Sequence, residues 1–147
     1  MSATRRPYFV ITGLPVDDET LQDLDVEQLF HMNPEEVRGQ LEASKKSLKD
    51  NGFDFDLALV SPSRGYKLVL DKLDQAEHVD GVIFGYGIRG HPSPSIAIFM
   101  EELIDKVRYH PKNVRILFNW SITSSLDACQ RAMKLEAERE KETVKSA

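Results

Sequence analysis

The chain has a single cysteine, no long hydrophobic run and no excess of positive charge, and each absence excludes a class of protein. Because Cys129 is alone, no intramolecular disulfide and no C-x-x-C metal or redox site can form. The apolar run after the amino terminus is shorter than the ~7–15-residue core of a secretory signal. No run reaches the ~18 residues that a membrane span needs. We therefore expect no membrane partner and a reducing, cytoplasmic location.

The shortage of positive charge also limits the partners. With 24 acidic and 19 basic residues, the formal net charge is −5, which disfavours a general electrostatic attraction to nucleic acid or anionic lipid. The negative charge is concentrated between Leu14 and Val37, a stretch without Lys or Arg. This stretch predicts a solvated acidic excursion at about residues 14–32. Its spacing lacks the D-x-D-x-D-G pattern of a calcium loop, so we expect no metal site.

Length and composition are those of one domain. A chain of 147 residues that is 41% hydrophobic can bury about two thirds of the surface that it exposes when unfolded. Residues 1–147 are therefore interpreted as a single α/β domain. The charged residues at about 138–147 predict a frayed carboxy-terminal tail.

Strand and helix signals alternate along the chain. Short apolar runs rich in β-formers predict strands at Tyr8–Thr12, Phe53–Val60, Val79–Phe84 and Val114–Phe118. Helix-start signals, or apolar residues at helical spacing, predict helices that begin at Asn33, Tyr66, Ser93 and a capping box at Ser124–Asp127. Four alternations without a hairpin signal predict a parallel sheet that is covered by helices on both faces.

The predicted fold is a small doubly wound three-layer sandwich, flavodoxin-like or Rossmann-like. Right-handed crossovers leave few arrangements of four parallel strands, and 2-1-3-4 is the order expected for a chain this short. Such sheets bind ligands beyond the carboxyl ends of the strands, where the chain changes direction. That point lies between strands 1 and 3.

The polar residues that follow the predicted strands define a candidate site. Gly85, Gly87 and Gly90 form a G-x-G-x-x-G pattern after the third strand, so backbone amides would approach a phosphate or carboxylate closely. Arg89 would bind such a group bidentately, and His91 would donate a hydrogen bond or act as the catalytic acid or base. The other candidate ligand-binding residues are Thr12, Gly13, Ser61, Ser63, Arg64, Tyr86, Asn119 and Ser121.

The segments after the first and third strands argue against two common cofactors, FMN and a dinucleotide. The segment Thr12–Val16 lacks the Ser/Thr-rich phosphate loop with which flavodoxins bind FMN, so tight FMN binding is not expected. The glycine pattern follows the third strand instead of the first and has no obvious acidic partner for a ribose. Dinucleotide binding is therefore not expected either, and the cofactor stays unknown.

Two functions remain open from the sequence. The first is a small-molecule binding domain, or an enzyme, for an anionic ligand that is held by the glycine-rich loop. The second is a non-catalytic homo-oligomeric interaction protein in which that loop is only a structural turn. Because edge strands are commonly protected by association, a homodimer is compatible with both functions.

Overall fold

A computed structural model describes residues 5–15, 33–91 and 93–146. The elements follow one another as β1 (Tyr8–Gly13), α1 (Pro34–Asp50), β2 (Asp54–Leu59), α2 (Lys67–Gln75), β3 (Gly81–Phe84), α3 (Tyr86–Arg89), α4 (Pro94–Arg108), β4 (Ile116–Phe118), a 3-10 turn (Ile122–Ser124) and α5 (Ser125–Ser146). Apart from Leu14 and Pro15, the predicted acidic excursion lies outside the described residues.

The four strands within these ranges form one parallel sheet in the order β2-β1-β3-β4. β1 is central, and its Ile11 lies between Leu57 of β2 and Ile83 of β3. The chain moves outward from β1 to β2 and then crosses back to β3. This confirms the predicted doubly wound fold and its strand order. All four carboxyl ends consequently lie along one edge of the sheet, called here the carboxyl edge.

Helices cover both faces of the sheet, and strand alternation decides which residues face each layer. One buried cluster joins the sheet to α2, α3 and α4 and includes Val10, Val69, Phe84, Ile88 and Leu103. The cluster on the other face joins the sheet to α1 and α5 and includes Ile11, Leu48, Ile83, Leu117 and Cys129. Because Thr12 follows Ile11 in β1, its side chain faces the layer of α2, α3 and α4.

The ends of α1 follow local signals. Asn33 Oδ1 accepts the Glu36 N–H at 2.9 Å, and Asn33 Nδ2 donates to the Glu36 carboxylate at 2.8 Å. These bonds satisfy a helix-end donor that has no partner within the helix. After the helix, Gly52 adopts φ of 88°, a left-handed value that glycine reaches without strain. The predicted start and stop of this helix are confirmed.

The start of α5 differs from its prediction. The capping box joins Ser121 with Ser124 instead of Ser124 with Asp127, because the 3-10 turn precedes the helix. The helix continues to Ser146, and its residues 137–144 are exposed. The charged tail is therefore helical over most of its length.

Candidate functional site

Gly85 joins the ends of β1 and β3 at the centre of the carboxyl edge. Its N–H donates to the Thr12 carbonyl oxygen at 2.8 Å, and a Cβ at position 85 would lie only 2.9 Å from that oxygen. The φ of Gly85 is −70°, which any residue can adopt, so space alone requires glycine here. On the other side of β1, the Gly13 carbonyl oxygen accepts the Val60 N–H at 2.9 Å. The ends of β1, β2 and β3 are thereby tied together.

The glycine-rich segment, predicted as a loop after the third strand, contains a single helical turn, α3. Its first N–H, that of Tyr86, donates to Asn119 Oδ1 at 2.8 Å. The absent Cβ of Gly90 makes room for the Tyr86 ring, which would otherwise lie 2.7 Å away. Gly87 is buried. Gly85 and Gly90 thus permit close packing against Thr12 and Tyr86. The side chain of Arg89, a predicted anion-binding residue, lies outside the described structure.

Asn119 is a buried bridge between neighbouring elements. While its Oδ1 accepts from Tyr86, its Nδ2 donates to Ser125 Oγ at 3.1 Å. Tyr86 begins α3 and Ser125 begins α5, so one amide at the end of β4 positions both helices. This predicted ligand-binding residue therefore has a structural role that the sequence did not reveal.

The predicted serines form hydrogen bonds within their own turns. Ser61 Oγ lies 3.0 Å from Ser63 Oγ and accepts the Arg64 N–H at 3.3 Å. Ser121 belongs to the capping box before α5. Arg64 is exposed in the turn after β2. The structure places these residues at the ends of β2 and β4, as predicted, and their hydroxyls stabilise turns there.

Two buried polar side-chain atoms have no hydrogen-bond partner among the described residues, and both belong to the predicted site: Thr12 Oγ1 and His91 Nε2. Thr12 is completely buried at the end of β1. His91 lies in the connection between α3 and α4, two helices of the layer that the Thr12 side chain faces. Leaving such an atom unpaired costs about 1–3 kcal/mol, so each requires an explanation.

A second histidine in the chain has the same local geometry as His91. Nδ1 accepts the N–H of the residue two positions later in both cases, from Ser93 at 3.0 Å for His91 and from Lys112 at 3.1 Å for His110. The hydrogen of each neutral ring is therefore on Nε2, which becomes a donor. In His110 this nitrogen lies 2.7 Å from Asp74 Oδ1. The corresponding nitrogen of His91 is the unpartnered one.

A cavity of about 340 Å³ lies between the turn after β2 and the first turns of α4, and we call it the α4 groove. Its lining residues are Pro62, Gly65, Tyr66, Ser95, Ile98, Phe99 and Glu102. The Tyr66 and Phe99 rings stack with their centroids 4.9 Å apart, and Ile98 is 54% exposed. Sequence reasoning missed this groove. The available signal was an isoleucine at position 98, outside the buried stripe of its helix.

Two further cavities, of about 430 and 600 Å³, lie where the strands begin, at the opposite end from the carboxyl edge. We call this end of the sheet the amino edge. Several of the polar groups in these cavities pair with one another. Tyr8 Oη donates to Asp56 Oδ2 at 2.7 Å, and burial together with this bond raises the pKa of Tyr8 well above its ordinary value. His78 Nε2 lies 2.7 Å from Asp80 Oδ1. These paired groups differ from Thr12 Oγ1 and His91 Nε2, which have no partner among the described residues.

The described residues give little support to a nucleophilic cysteine, a metal site or a membrane-spanning helix. Burial raises the pKa of the Cys129 thiol to about 12, so the thiol is protonated at neutral pH and is a poor nucleophile. No group of three or more His, Cys, Asp or Glu in these ranges is placed to hold a metal ion. Within residues 5–15, 33–91 and 93–146, no helix has the length and apolar character needed to cross a membrane.

Comparisons of the chain with protein-family models, with curated proteins and with solved structures find no match. The class of protein is therefore defined by the fold, a three-layer doubly wound α/β domain with parallel strands in the order 2-1-3-4. Its function has to be argued from the geometry of the carboxyl edge.

We expect Asn119→Ala to lower the free energy of unfolding by about 1–3 kcal/mol, because the Tyr86 N–H would lose its acceptor in a partly buried setting. Asn51→Ala is the matched control, since Asn51 bonds the Ser47 carbonyl oxygen in an exposed helix end. That variant should lose less than about 1 kcal/mol. Urea denaturation measures both values, and equal losses would contradict the bridging role of Asn119.

Proposed function

We propose that this protein binds a small phosphate- or carboxylate-bearing molecule at the carboxyl edge, with Thr12 and His91 as its contacts. The observation that carries the proposal is the pair of buried atoms without a protein partner, Thr12 Oγ1 and His91 Nε2. Both atoms belong to residues at the end of the sheet where doubly wound folds bind ligands, near the change of chain direction between β1 and β3.

The comparison of His91 with His110 supports an anion as the ligand. The Asp74 carboxylate is the acceptor for His110 Nε2, so a ligand oxygen beside His91 Nε2 would complete the same arrangement. A hydrogen bond to an ionised acceptor is roughly twice as strong as one between neutral groups. The Thr12 hydroxyl can donate to another oxygen of the same ligand.

Positive charge near this edge favours the same class of ligand. Arg64 lies in the turn after β2, and Arg89 belongs to α3. The contribution of the Arg89 side chain is proposed from the sequence alone. If the bound ligand is also turned over, His91 Nε2–H is the group that would transfer a proton. The single buried cysteine favours a cytoplasmic location for such a protein.

Anion binding should depend on His91 and not on His110. In inorganic phosphate, sulfate or acetate at ~100 times the dissociation constant, the wild type should gain roughly 2.7 kcal/mol in unfolding free energy. We expect His91→Ala to lose this gain because the donor is removed. His110→Ala should lower the basal stability and keep the gain. Thermal unfolding at increasing anion concentration measures this, and the proposal fails if no anion stabilises the wild type.

Thr12→Val should separate stability from binding. Valine replaces the unpartnered hydroxyl with a methyl group, so the ligand-free protein should become more stable by about 1 kcal/mol. Stabilisation by inorganic phosphate should decrease in the same variant. Thr123→Val is the matched control because Thr123 is exposed, and it should change neither quantity. A destabilised Thr12→Val protein with undiminished phosphate binding would contradict the role of Thr12.

The alternative function, association between copies of the chain, is favoured by a different observation. β4 is an edge strand of the sheet, and two large apolar side chains in or next to it are exposed, Phe118 (39%) and Trp120 (58%). Arg131 connects these two residues, since it donates to the Phe118 carbonyl oxygen at 2.8 Å and lies 5.5 Å from the Trp120 ring centroid. Exposed apolar residues beside an edge strand are typical of an interface.

If the chain self-associates through β4, Trp120→Ala should shift the dimer–monomer transition to at least ~10-fold higher protein concentration, since aromatic anchors dominate interfaces. Tyr109→Ala is the control, because Tyr109 is 71% exposed and follows the far end of α4. Light scattering over a dilution series measures the transition. A wild-type monomer at every concentration counts against this alternative.

A further inference from the structure

We propose that His78 and Asp80 form a second reactive site, at the amino edge, in which the His78 imidazole is the general base for the hydrolysis of a small uncharged ester. Both residues belong to the segment that leads into β3. The site lies at the opposite end of the sheet from Thr12 and His91, and it does not depend on the proposed anion site.

Two hydrogen bonds to β1 hold Asp80 in place. Its N–H donates to the Tyr8 carbonyl oxygen at 2.8 Å, and its Oδ2 accepts the Tyr8 N–H at 2.9 Å. The Asp80 side chain is only 11% exposed. A carboxylate that is anchored to the sheet in this way presents its other oxygen in a fixed position, as a supporting group of a reactive site must.

The other carboxylate oxygen fixes the tautomer of His78. Asp80 Oδ1 lies 2.7 Å from His78 Nε2, and an ionised carboxylate can only accept hydrogen bonds. The hydrogen of the neutral His78 ring is therefore on Nε2, and the lone pair is on Nδ1. A ring nitrogen with a lone pair can take a proton from a reacting group, which is the task of a general base.

His78 Nδ1 is accessible to solvent. It has no hydrogen-bond partner among the described residues, and it is not one of the buried atoms without a partner. The other two histidines of the described ranges differ, since His91 and His110 each use Nδ1 to accept a backbone N–H. Within these ranges, His78 thus combines a carboxylate that orients the ring with a basic nitrogen that a substrate can reach.

His78 lines both cavities of the amino edge, together with Arg5 and Glu77. The cavity volumes of about 430 and 600 Å³ are within the usual range for small-molecule sites. A small substrate in either cavity can therefore contact the His78 ring.

The charges that line the larger cavity balance. The basic residues are Arg5, Lys112, Arg115 and Arg139, and the acidic residues are Glu77, Asp80, Glu136 and Glu140. A strongly charged molecule would be attracted by one set and repelled by the other. The lining therefore favours a substrate without a net charge.

Some of the basic side chains remain available to the substrate. Arg115 is held by the Ala132 carbonyl oxygen and the Glu136 carboxylate, both at 3.1 Å. Arg5, Lys112 and Arg139 have no ion pair among the described residues. A cationic side chain beside His78 would stabilise the negative charge that develops on the ester carbonyl oxygen during attack.

In the proposed reaction, a water molecule attacks the acyl carbon while His78 Nδ1 takes a proton from it. The bond between the acyl carbon and the alcohol oxygen breaks, and the proton passes from Nδ1 to the departing oxygen. The products are a carboxylic acid and an alcohol, and the ring returns to its neutral form. While the ring is positively charged, the Asp80 carboxylate stabilises it through Nε2–H.

Hydrolysis of p-nitrophenyl acetate at about pH 8, where most histidine rings are neutral, tests the proposal. We expect the wild-type rate to saturate as the ester concentration rises, because the ester occupies a cavity. His78→Gln should lower kcat at least ~10-fold, since the general base is removed.

Asp80→Asn should lower kcat by a similar factor and leave KM unchanged. The asparagine oxygen can still accept the Tyr8 N–H, but the amide nitrogen would donate to His78 Nε2 and so move the ring hydrogen to Nδ1. Asp74→Asn is the matched control, because Asp74 Oδ1 lies 2.7 Å from His110 Nε2. It should keep the wild-type kcat.

Nitrogen NMR of the wild-type protein adds a test that does not depend on the folding of any variant. At about pH 9, where histidine rings are neutral, we expect the His78 ring hydrogen on Nε2. A hydrogen on Nδ1 would overturn the proposal, because that nitrogen could not accept a proton. The proposal also fails if the wild-type rate rises linearly without saturation, if His78→Gln is as active as the wild type, or if Asp74→Asn and Asp80→Asn lose activity equally.

Discussion

The hydrogen bond from the Gly85 N–H to the Thr12 carbonyl oxygen is the contact on which the carboxyl edge depends. A side chain at position 85 would collide with that oxygen, so only glycine lets β1 and β3 remain this close at their ends. α3 begins at the next residue, Tyr86, whose N–H is held by Asn119. Because Asn119 also bonds Ser125 at the start of α5, this junction extends from β1 to the last helix.

The two edges of the sheet differ in how their polar groups are satisfied. At the amino edge, Asp80 accepts the Tyr8 N–H at 2.9 Å and pairs with His78, so its carboxylate is shared between β1 and the segment before β3. At the carboxyl edge, the serines and Asn119 are bonded within the protein, whereas Thr12 Oγ1 and His91 Nε2 are not. A polar group that the fold buries without a partner is the feature expected where a ligand supplies the missing bond.

The two histidines differ in a single contact, and this contact separates a structural residue from a proposed ligand-binding residue. Both rings accept a backbone N–H two positions later, and both are oriented by it. Asp74 makes His110 a structural group that joins α2 to the turn after α4. His91 has the same orientation without a carboxylate among the described residues, which is why the proposed ligand has the chemistry of a carboxylate or phosphate.

Much of the fold could be predicted from the sequence because its signals are local. Asn33, Pro34 and Gly52 mark the ends of α1 through bonds within a few residues, and the order of four parallel strands follows from few permitted connections. The same reasoning placed Thr12 and His91 at the ends of neighbouring elements. The helical turn at residues 86–89 was missed because glycine disfavours helices, and here the turn is held by Asn119, 33 residues away. The sequence by itself determined the sheet and the edge at which polar residues gather. The tertiary structure decided which of those residues are already paired, because a hydrogen bond depends on how near two atoms lie in space, and not on how near they lie along the chain.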